Sequence, residues 1–309
     1  MNNVTVFCFL ASYFVAFVLE MSRLLRRTKM SRAVILLFTA AGLVAHTTYL
    51  LSQSHEAGLP PLLSSTKDWL LVLTWIAMVA YLLLALFHGD LAIGQFVLPI
   101  VLVLVGVSYF VSESTNSIVQ SNLSEARAKA IRPWAMLHAS FLLFAMVGVV
   151  SGFVLSIMYL VQHRRLKKQE QIMNNLKLPS LATLQRWNRW AVMASVLLLT
   201  LGMAFGVVLG LYSDKGTTLI SFKDPVVIVS AIVWLVTMVF FIWFIRTNRG
   251  EGKSVAWQTL WAFGFLLVTL IALQVITGKG SFSLETWHTG FSTKPNVVSH
   301  IFMREEYRA

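Results

Sequence analysis

The sequence predicts an all-α, polytopic integral membrane helical bundle with about eight transmembrane helices. Of its 309 residues, 57% are hydrophobic and only 12% are charged. The apolar residues are gathered into runs of about 20, the length at which a helix crosses ~30 Å of hydrocarbon. No long polar segment remains to build a soluble domain, so residues 1–309 are expected to form a single membrane domain.

Apolar runs bounded by polar residues predict the helices in order, at roughly 3–22, 33–51, 68–87, 91–112, 133–162, 188–212, 225–245 and 256–277. The first run has no basic residue ahead of it and a basic cluster after it, the reverse of a cleavable secretory signal. We therefore expect it to remain as a helix. Only residues 88–90 separate the third and fourth helices, which requires a tight hairpin.

The region between the fifth and sixth helices is expected to lie at the membrane surface. The end of the fifth helix, at 158–168, is basic and predicts an extension into the cytoplasm. Pro179 and Ser180 can stop one helix and start a short interfacial one. Trp187 and Trp190 fit the aromatic belt of a membrane interface.

The positions of lysine and arginine predict the orientation. Alternate loops carry 15 basic residues on one side and 10 on the other, and the excess is sharpest in the short flanks at 21–32 and 163–169. Such flanks face the cytoplasm. Both termini are therefore predicted to be extracytoplasmic, with an extracytoplasmic tail at 278–309, in a multi-pass protein of the cell inner (cytoplasmic) membrane.

Composition also excludes several classes of function. The single cysteine, Cys8, cannot form an intrachain disulfide, a cysteine zinc cage or a thiol relay. The net charge of +12 arises mainly in loops between helices, which indicates contact with lipid headgroups and no nucleic-acid partner. No phosphate-binding loop, zinc-protease motif or nucleophile elbow occurs in a usable context, so stand-alone catalytic activity is not predicted.

Two features inside the helices have structural explanations. Glu20 lies near the cytoplasmic end of the first helix, where we expect it to pair with the basic cluster that follows. Gly202, Gly206 and Gly210 form a row of small residues four apart, which predicts close helix packing.

The histidines are the most informative polar residues, because a neutral imidazole is a good ligand for haem iron and transition metals. Five fall on the predicted outer side: His46, His55, His138, His288 and His300. His138 lies just inside the start of the fifth helix, where it is either a ligand facing a cavity or an interfacial histidine bonded to a carbonyl.

The remaining outer histidines leave similar alternatives. His46 is either functional or satisfied by Thr47, Thr48 or a helix carbonyl. His288 is either a ligand or a solvated tail residue. His55 and His300 lie in polar surroundings that favour simple solvation.

Asp224 and Pro225 predict the start of the seventh helix, since Asp is a favoured N-cap and Pro a favoured first helical residue. A functional role of Asp224, such as fixing the outer loop over a ligand, would be additional to capping.

Three stretches, at 137–168, 178–210 and 223–257, carry a family resemblance. The first is a helix that begins with an external histidine and ends in a basic segment. The second is a Pro-x-Leu-x-x-Leu linker followed by a Gly-rich helix. The third is an Asp-Pro pair followed by a helix and a basic turn. Through them residues 130–277 resemble the cytochrome c assembly family, of the CcsA and CcmC type, and in particular its HemX-like branch.

The resemblance implies roles for individual residues. His138 would be the first external haem ligand and His288 the second, so that these two would bind the metal. Asp224 would end a haem-facing, tryptophan-rich loop, and His46 would match an intramembrane histidine.

The residues before Asp224 depart from the family pattern. Phe222 supplies one smaller aromatic face in place of a tryptophan, and Lys223 supplies a cation suited to a haem propionate. Arg132 and Lys215 also lie on the predicted outer side, where they either pair with propionates or remain solvated.

The leading hypothesis is therefore a membrane protein that binds haem transiently and assists c-type cytochrome biogenesis, with a second maturation subunit and apocytochrome c as partners. The alternative is a HemX-like regulator of glutamyl-tRNA reductase level in tetrapyrrole synthesis. A transporter of another small molecule is less favoured, because paired intramembrane charges and inverted repeats are absent from the sequence.

Overall fold

A computed structural model describes residues 5–23, 29–87, 91–111, 125–168, 177–213, 225–247 and 252–278, at a few positions by the backbone alone. The described residues form helices without a strand, which confirms the predicted all-α fold for this part of the chain. The helices are α1 Val6–Ser22, α2 Lys29–Ala57, α3 Pro61–Ser64, α4 Thr66–Phe87, α5 Gly94–Ser108, α6 Glu125–Lys168, α7 Leu181–Ser213, α8 Pro225–Thr247 and α9 Gly252–Gly278.

Four of the described helices are long and apolar enough to cross a membrane, over Met30–Ala57, Lys67–Phe87, Lys129–Lys167 and Leu181–Leu211. α1, α5 and residues Val227–Val239 of α8 are shorter apolar helices. Large apolar side chains such as Phe14, Phe144 and Phe265 are more than half exposed, as lipid-facing residues are. The chain is thus a multi-pass membrane protein, while the number of eight spans and the outward termini stay predictions.

Two helix boundaries differ from prediction. α6 begins at Glu125 and runs through Pro133, because the segment EARAKAIR consists mainly of residues with high helix propensity. α7 is one continuous helix from Leu181, so the prediction of a separate interfacial helix is wrong. The predicted helix start at Ser180 is confirmed, because the backbone N–H of Thr183 donates to Ser180 Oγ at 3.3 Å.

The helices pack in two groups that share α4 and α5. α1, α2, α4 and α5 enclose a core that contains Phe9, Tyr13 and Leu98. α4, α5, α6, α7 and α9 enclose a second core around Met146 and Phe263.

α6 and α7 form a closely packed antiparallel pair. A Cβ added at Gly202 would lie 2.7 Å from Leu142 Cδ2, and one added at Gly206 would lie 2.8 Å from His138 Cε1. The prediction that these glycines serve close packing is therefore confirmed for both. This packing brings the start of α6 beside the end of α7.

Polar contacts occur at the predicted inner ends of the first helix group. Glu20 is 2% exposed and pairs with Arg23 at 3.0 Å, as predicted from the basic cluster. Arg32 Nη2 donates to the carbonyls of Ala85 and Leu86 at the end of α4, at 3.1 and 3.2 Å. Arg32 of the basic cluster therefore connects the start of α2 to the end of α4, in addition to the predicted effect of the cluster on orientation.

Gly42 permits a close approach of α1 to α2, since a Cβ there would lie 2.7 Å from Tyr13 Cε1. We expect Gly42→Ala to lower the free energy of unfolding by about 1–3 kcal/mol through overpacking. Gly106→Ala is the matched control, because no atom lies within 4 Å of a Cβ at that position. Thermal unfolding in detergent compares the two variants. A thermal unfolding midpoint for Gly42→Ala at or above that of Gly106→Ala would contradict the close packing of Gly42 against Tyr13.

Candidate functional site

The predicted outer end of the bundle contains the starts of α4, α6 and α8 and the ends of α7 and α9. His138 is a polar residue at this end, and it lies well inside α6 because that helix begins earlier than predicted. Its Nδ1 atom is 2.8 Å from the carbonyl oxygen of Gly202 in α7. The structure therefore places His138 at the α6–α7 contact.

This hydrogen bond determines the tautomer of neutral His138. A carbonyl oxygen can only accept, so Nδ1 must carry the proton and donate it. Nε2 is then the nitrogen with the lone pair. Histidines that bind metals show this arrangement, because a hydrogen bond from one ring nitrogen orients the ring and increases the basicity of the other.

Gly206 provides the space for the imidazole. A Cβ at this position would lie 2.8 Å from Cε1 and 2.9 Å from Nδ1 of His138. Both distances are shorter than side chains tolerate in a packed interior. One glycine of the row thus admits the ring, and another presents the carbonyl that orients it.

Aromatic side chains flank His138. Trp134, His138 and Phe141 lie on one face of α6, because their spacing is i, i+4, i+7. Phe205 of α7 contacts both aromatic neighbours: its ring centroid is 5.1 Å from that of Phe141, with planes 13° apart, and 6.1 Å from that of Trp134. All four side chains are half-buried.

α4 supports the same region from a third side. Trp69 Nε1 donates to the carbonyl of Ala139 at 3.4 Å. Asp68, one residue earlier, is 5% exposed, and its backbone N–H donates to Ser65 Oγ at 3.0 Å. Ser65 therefore caps α4 and positions its first turn beside α6.

Sequence reasoning missed Asp68, Trp69, Trp134, Phe141 and Phe205. The i, i+4, i+7 spacing around His138 was available as a signal for Trp134 and Phe141. Phe205 and the α4 residues depend on how separate helices pack, and the sequence contains no comparable signal for them.

His46 is fully buried, and its partner differs from the predicted ones. Its Nδ1 lies 3.2 Å from the hydroxyl of Tyr13, and its ring stacks on Phe9 with centroids 4.1 Å apart. Thr47 and Thr48 donate instead to the carbonyls of their own helix. Within the described residues, His46 therefore belongs to the α1–α2 contact, whereas His138 belongs to the α6–α7 contact.

Several predicted site residues lie outside the described part of the chain: Phe222, Lys223, Asp224, His288, and with them His88, His300 and Lys215. α8 begins at Pro225, as the Asp-Pro pair predicts. Arg132 and His55 are described and exposed. His163, near the C-terminal end of α6, stacks on Tyr159 with ring centroids 6.3 Å apart.

The described residues contain no group of three or more His, Cys, Asp or Glu side chains that could hold a metal ion. What they offer is one oriented imidazole nitrogen beside flat aromatic surfaces. Such a site can provide one ligand to a metal whose other ligands come from elsewhere, as in a metalloporphyrin.

Comparison with protein families places these residues in context. Residues 63–280, more than half of the chain, match the model of a family described as cytochrome C assembly protein. The matched segment contains His138 with its described contacts, whereas His46 lies outside it. Neither the curated proteins nor the solved structures contain a match. The chain belongs to the cytochrome c assembly protein family, and this membership supports a role in cytochrome c biogenesis.

Proposed function

We propose that the protein binds haem at the predicted outer end of α6 and α7, where Nε2 of His138 would ligate the iron, and that it does so to assist c-type cytochrome maturation. The hydrogen bond from Nδ1 to the Gly202 carbonyl carries this proposal. It keeps the acceptor nitrogen on the opposite edge of the ring, in the form that ligates iron.

The residues present fit a haem group. His138 provides the nitrogen ligand, and Gly206 provides the space that the imidazole ring of His138 needs. Haem supplies an iron that accepts such a ligand. In a maturation protein, haem is also the group that is delivered to apocytochrome c. His138 would bind the iron and so orient the haem while it is transiently bound.

Outer residues beyond the described helices complete the proposal. By the family resemblance, His288 would be the second external ligand and Asp224 would end the haem-facing loop, with Phe222 and Lys223 before it. Arg132 is an exposed cation near the outer end of α6 that suits a propionate. A second maturation subunit and apocytochrome c would be the partners, in the cytoplasmic membrane.

A HemX-like regulatory role is the second candidate. Phe222 and Lys223, where the family has tryptophans, favour it, because control of glutamyl-tRNA reductase level needs no intact tryptophan loop. Deletion of the gene separates the two functions. Loss of covalent haem from c-type cytochromes at constant reductase abundance supports maturation, and altered reductase abundance with intact cytochromes supports regulation.

Titration of the purified protein with haemin tests the ligand assignment. We expect saturable binding with a shifted Soret band, and at least about tenfold weaker binding by His138→Ala, since even residues that only orient a ligand cost about 10–100-fold. His163→Ala is the matched control, because this histidine lies on the same helix towards its inner end. Equal affinity and equal spectra for wild type and His138→Ala would contradict the proposal.

A further inference from the structure

We infer that a cleft between the end of α1, the start of α2 and the end of α4 binds an anionic phospholipid, with the Arg32 guanidinium holding the phosphate of the headgroup. The cleft lies away from the site proposed for haem. α4 contacts that site through Trp69 and reaches the cleft with Ala85, about 24 Å further along the helix at ~1.5 Å per residue. The inference is therefore independent of the proposed function.

The cleft is formed where several helix ends meet. The end of α1, the start of α2, the end of α4 and the residues leading into α5 surround it. It offers about 320 Å³ of empty space, counting the part that is open to the outside. Charged and apolar side chains both line it, among them Glu20, Arg23, Arg32, Leu36, Leu84 and Leu91. A ligand that suits this lining has a charged part and an apolar part.

The charge of Arg32 is the first reason for the inference. Its Nη2 donates to the carbonyl oxygens of Ala85 and Leu86, which carry no net charge. Nε and Nη1 provide three more N–H groups, for which the described residues offer no acceptor. The Glu20 carboxylate in the cleft pairs with Arg23 at 3.0 Å, and Arg32 has no carboxylate partner in the described part of the chain. The cleft therefore keeps a positive charge that a phosphate can neutralise.

The position of Arg32 is the second reason. It lies in the first turn of α2 and contacts the last turn of α4, at the level where membrane helices leave the hydrocarbon and meet the headgroups. Guanidinium groups bind phosphate by charge-assisted hydrogen bonds. Basic pockets between membrane helices on the cytoplasmic side bind the headgroups of anionic lipids. The distribution of lysine and arginine predicts that this end of the bundle faces the cytoplasm.

The apolar walls are the third reason. Leu36 lies one turn beyond Arg32 on the same face of α2 and lines the cleft together with Leu84. Next to the cleft, Leu86 and Phe87 at the end of α4 are 50% and 78% exposed, as lipid-facing side chains are. A phospholipid with its phosphate on Arg32 can extend an acyl chain along these side chains. A free phosphate would use the guanidinium alone, so the arrangement favours a lipid.

Native mass spectrometry of the full-length protein in detergent tests the inference. The protein is titrated with dioleoylphosphatidylglycerol and, separately, with dioleoylphosphatidylcholine, and the apparent dissociation constant of the first bound lipid is measured for each. We expect wild type to bind phosphatidylglycerol about fivefold more tightly, the ratio expected for one basic residue beside an anionic headgroup. Arg32→Gln should remove this preference by weakening phosphatidylglycerol binding, while phosphatidylcholine binding stays unchanged.

Matched variants separate the cleft from other effects. Arg189→Gln is the control, because this arginine is exposed in α7 on the same predicted side and is not among the residues that line the cleft. It should keep the wild-type preference. Arg32→Lys keeps the charge and should retain most of the preference, which separates loss of charge from loss of the contact with α4. Leu36→Trp narrows the cleft while both arginines remain, and it should also weaken phosphatidylglycerol binding.

Inorganic phosphate distinguishes the two sources of a phosphate group. An excess of it at constant ionic strength should leave phosphatidylglycerol bound, because the acyl-chain contacts are unaffected. Displacement of the lipid would indicate a site for free phosphate and overturn the inference. Equal affinity of wild type for the two lipids, or equal phosphatidylglycerol affinity in Arg32→Gln and Arg189→Gln, would also overturn it. None of these measurements involves haem, so the haemin titration decides the proposed function separately.

Discussion

Gly206→Val is expected to abolish haem ligation although His138 is still present. A Cβ at residue 206 would lie 2.8 Å from Cε1 and 2.9 Å from Nδ1 of the imidazole, and valine adds two methyl groups to it. The ring must move, and the hydrogen bond to the Gly202 carbonyl is lost with it. We expect haemin affinity to fall at least about tenfold, as when a group that orients a ligand is removed.

Gly106→Val is the control for introducing a β-branched residue into an apolar helix, since no atom lies within 4 Å of a Cβ there. This variant should retain the wild-type Soret band and affinity. Gly206→Ala should fall between wild type and Gly206→Val, because one methyl group displaces the ring less. Wild-type spectra for Gly206→Val would show that the imidazole is not held as described.

His138→Ala is expected to cause a large loss of c-type cytochrome maturation in cells. If this residue ligates the haem passed to apocytochrome c, covalent haem in c-type cytochromes should fall at least about tenfold. Haem-dependent peroxidase staining of separated membrane proteins measures the loss, with the variant's own abundance followed in parallel. His55→Ala is the control, because this histidine is exposed on the same predicted side of the membrane.

The same strain distinguishes maturation from regulation. Normal c-type cytochromes in a strain with abundant His138→Ala protein would contradict the maturation role of this residue. If glutamyl-tRNA reductase abundance changed instead, the regulatory candidate would be favoured.

The helices could be predicted from the sequence because each depends on its own apolar residues. The start of α6 was misplaced because Pro133 resembles a first helical residue, whereas the helix-forming residues before it extend the helix to Glu125. The membrane helix was predicted to start at residue 188, because the polar segment after Ser180 resembled a separate interfacial helix, whereas α7 is continuous from Leu181.

The site was only partly predictable for a physical reason. His138 was identified from its residue type and its position in an apolar helix. Its contacts with Gly202 and Gly206, and the contact of Phe205 with Phe141, follow from the relative shift of α6 against α7, which helical periodicity alone does not determine. The partner of His46 was wrongly predicted for the same reason, because Tyr13 belongs to another helix.

The pyridine haemochrome spectrum of protein purified from a haem-replete membrane tests the central claim most directly. Wild-type protein should carry b-type haem at up to one group per chain, and His138→Ala purified in equal amount should carry little or none. Wild-type protein without haem, or a His138→Ala variant that retains the wild-type amount, would contradict the assignment of this histidine as the haem ligand.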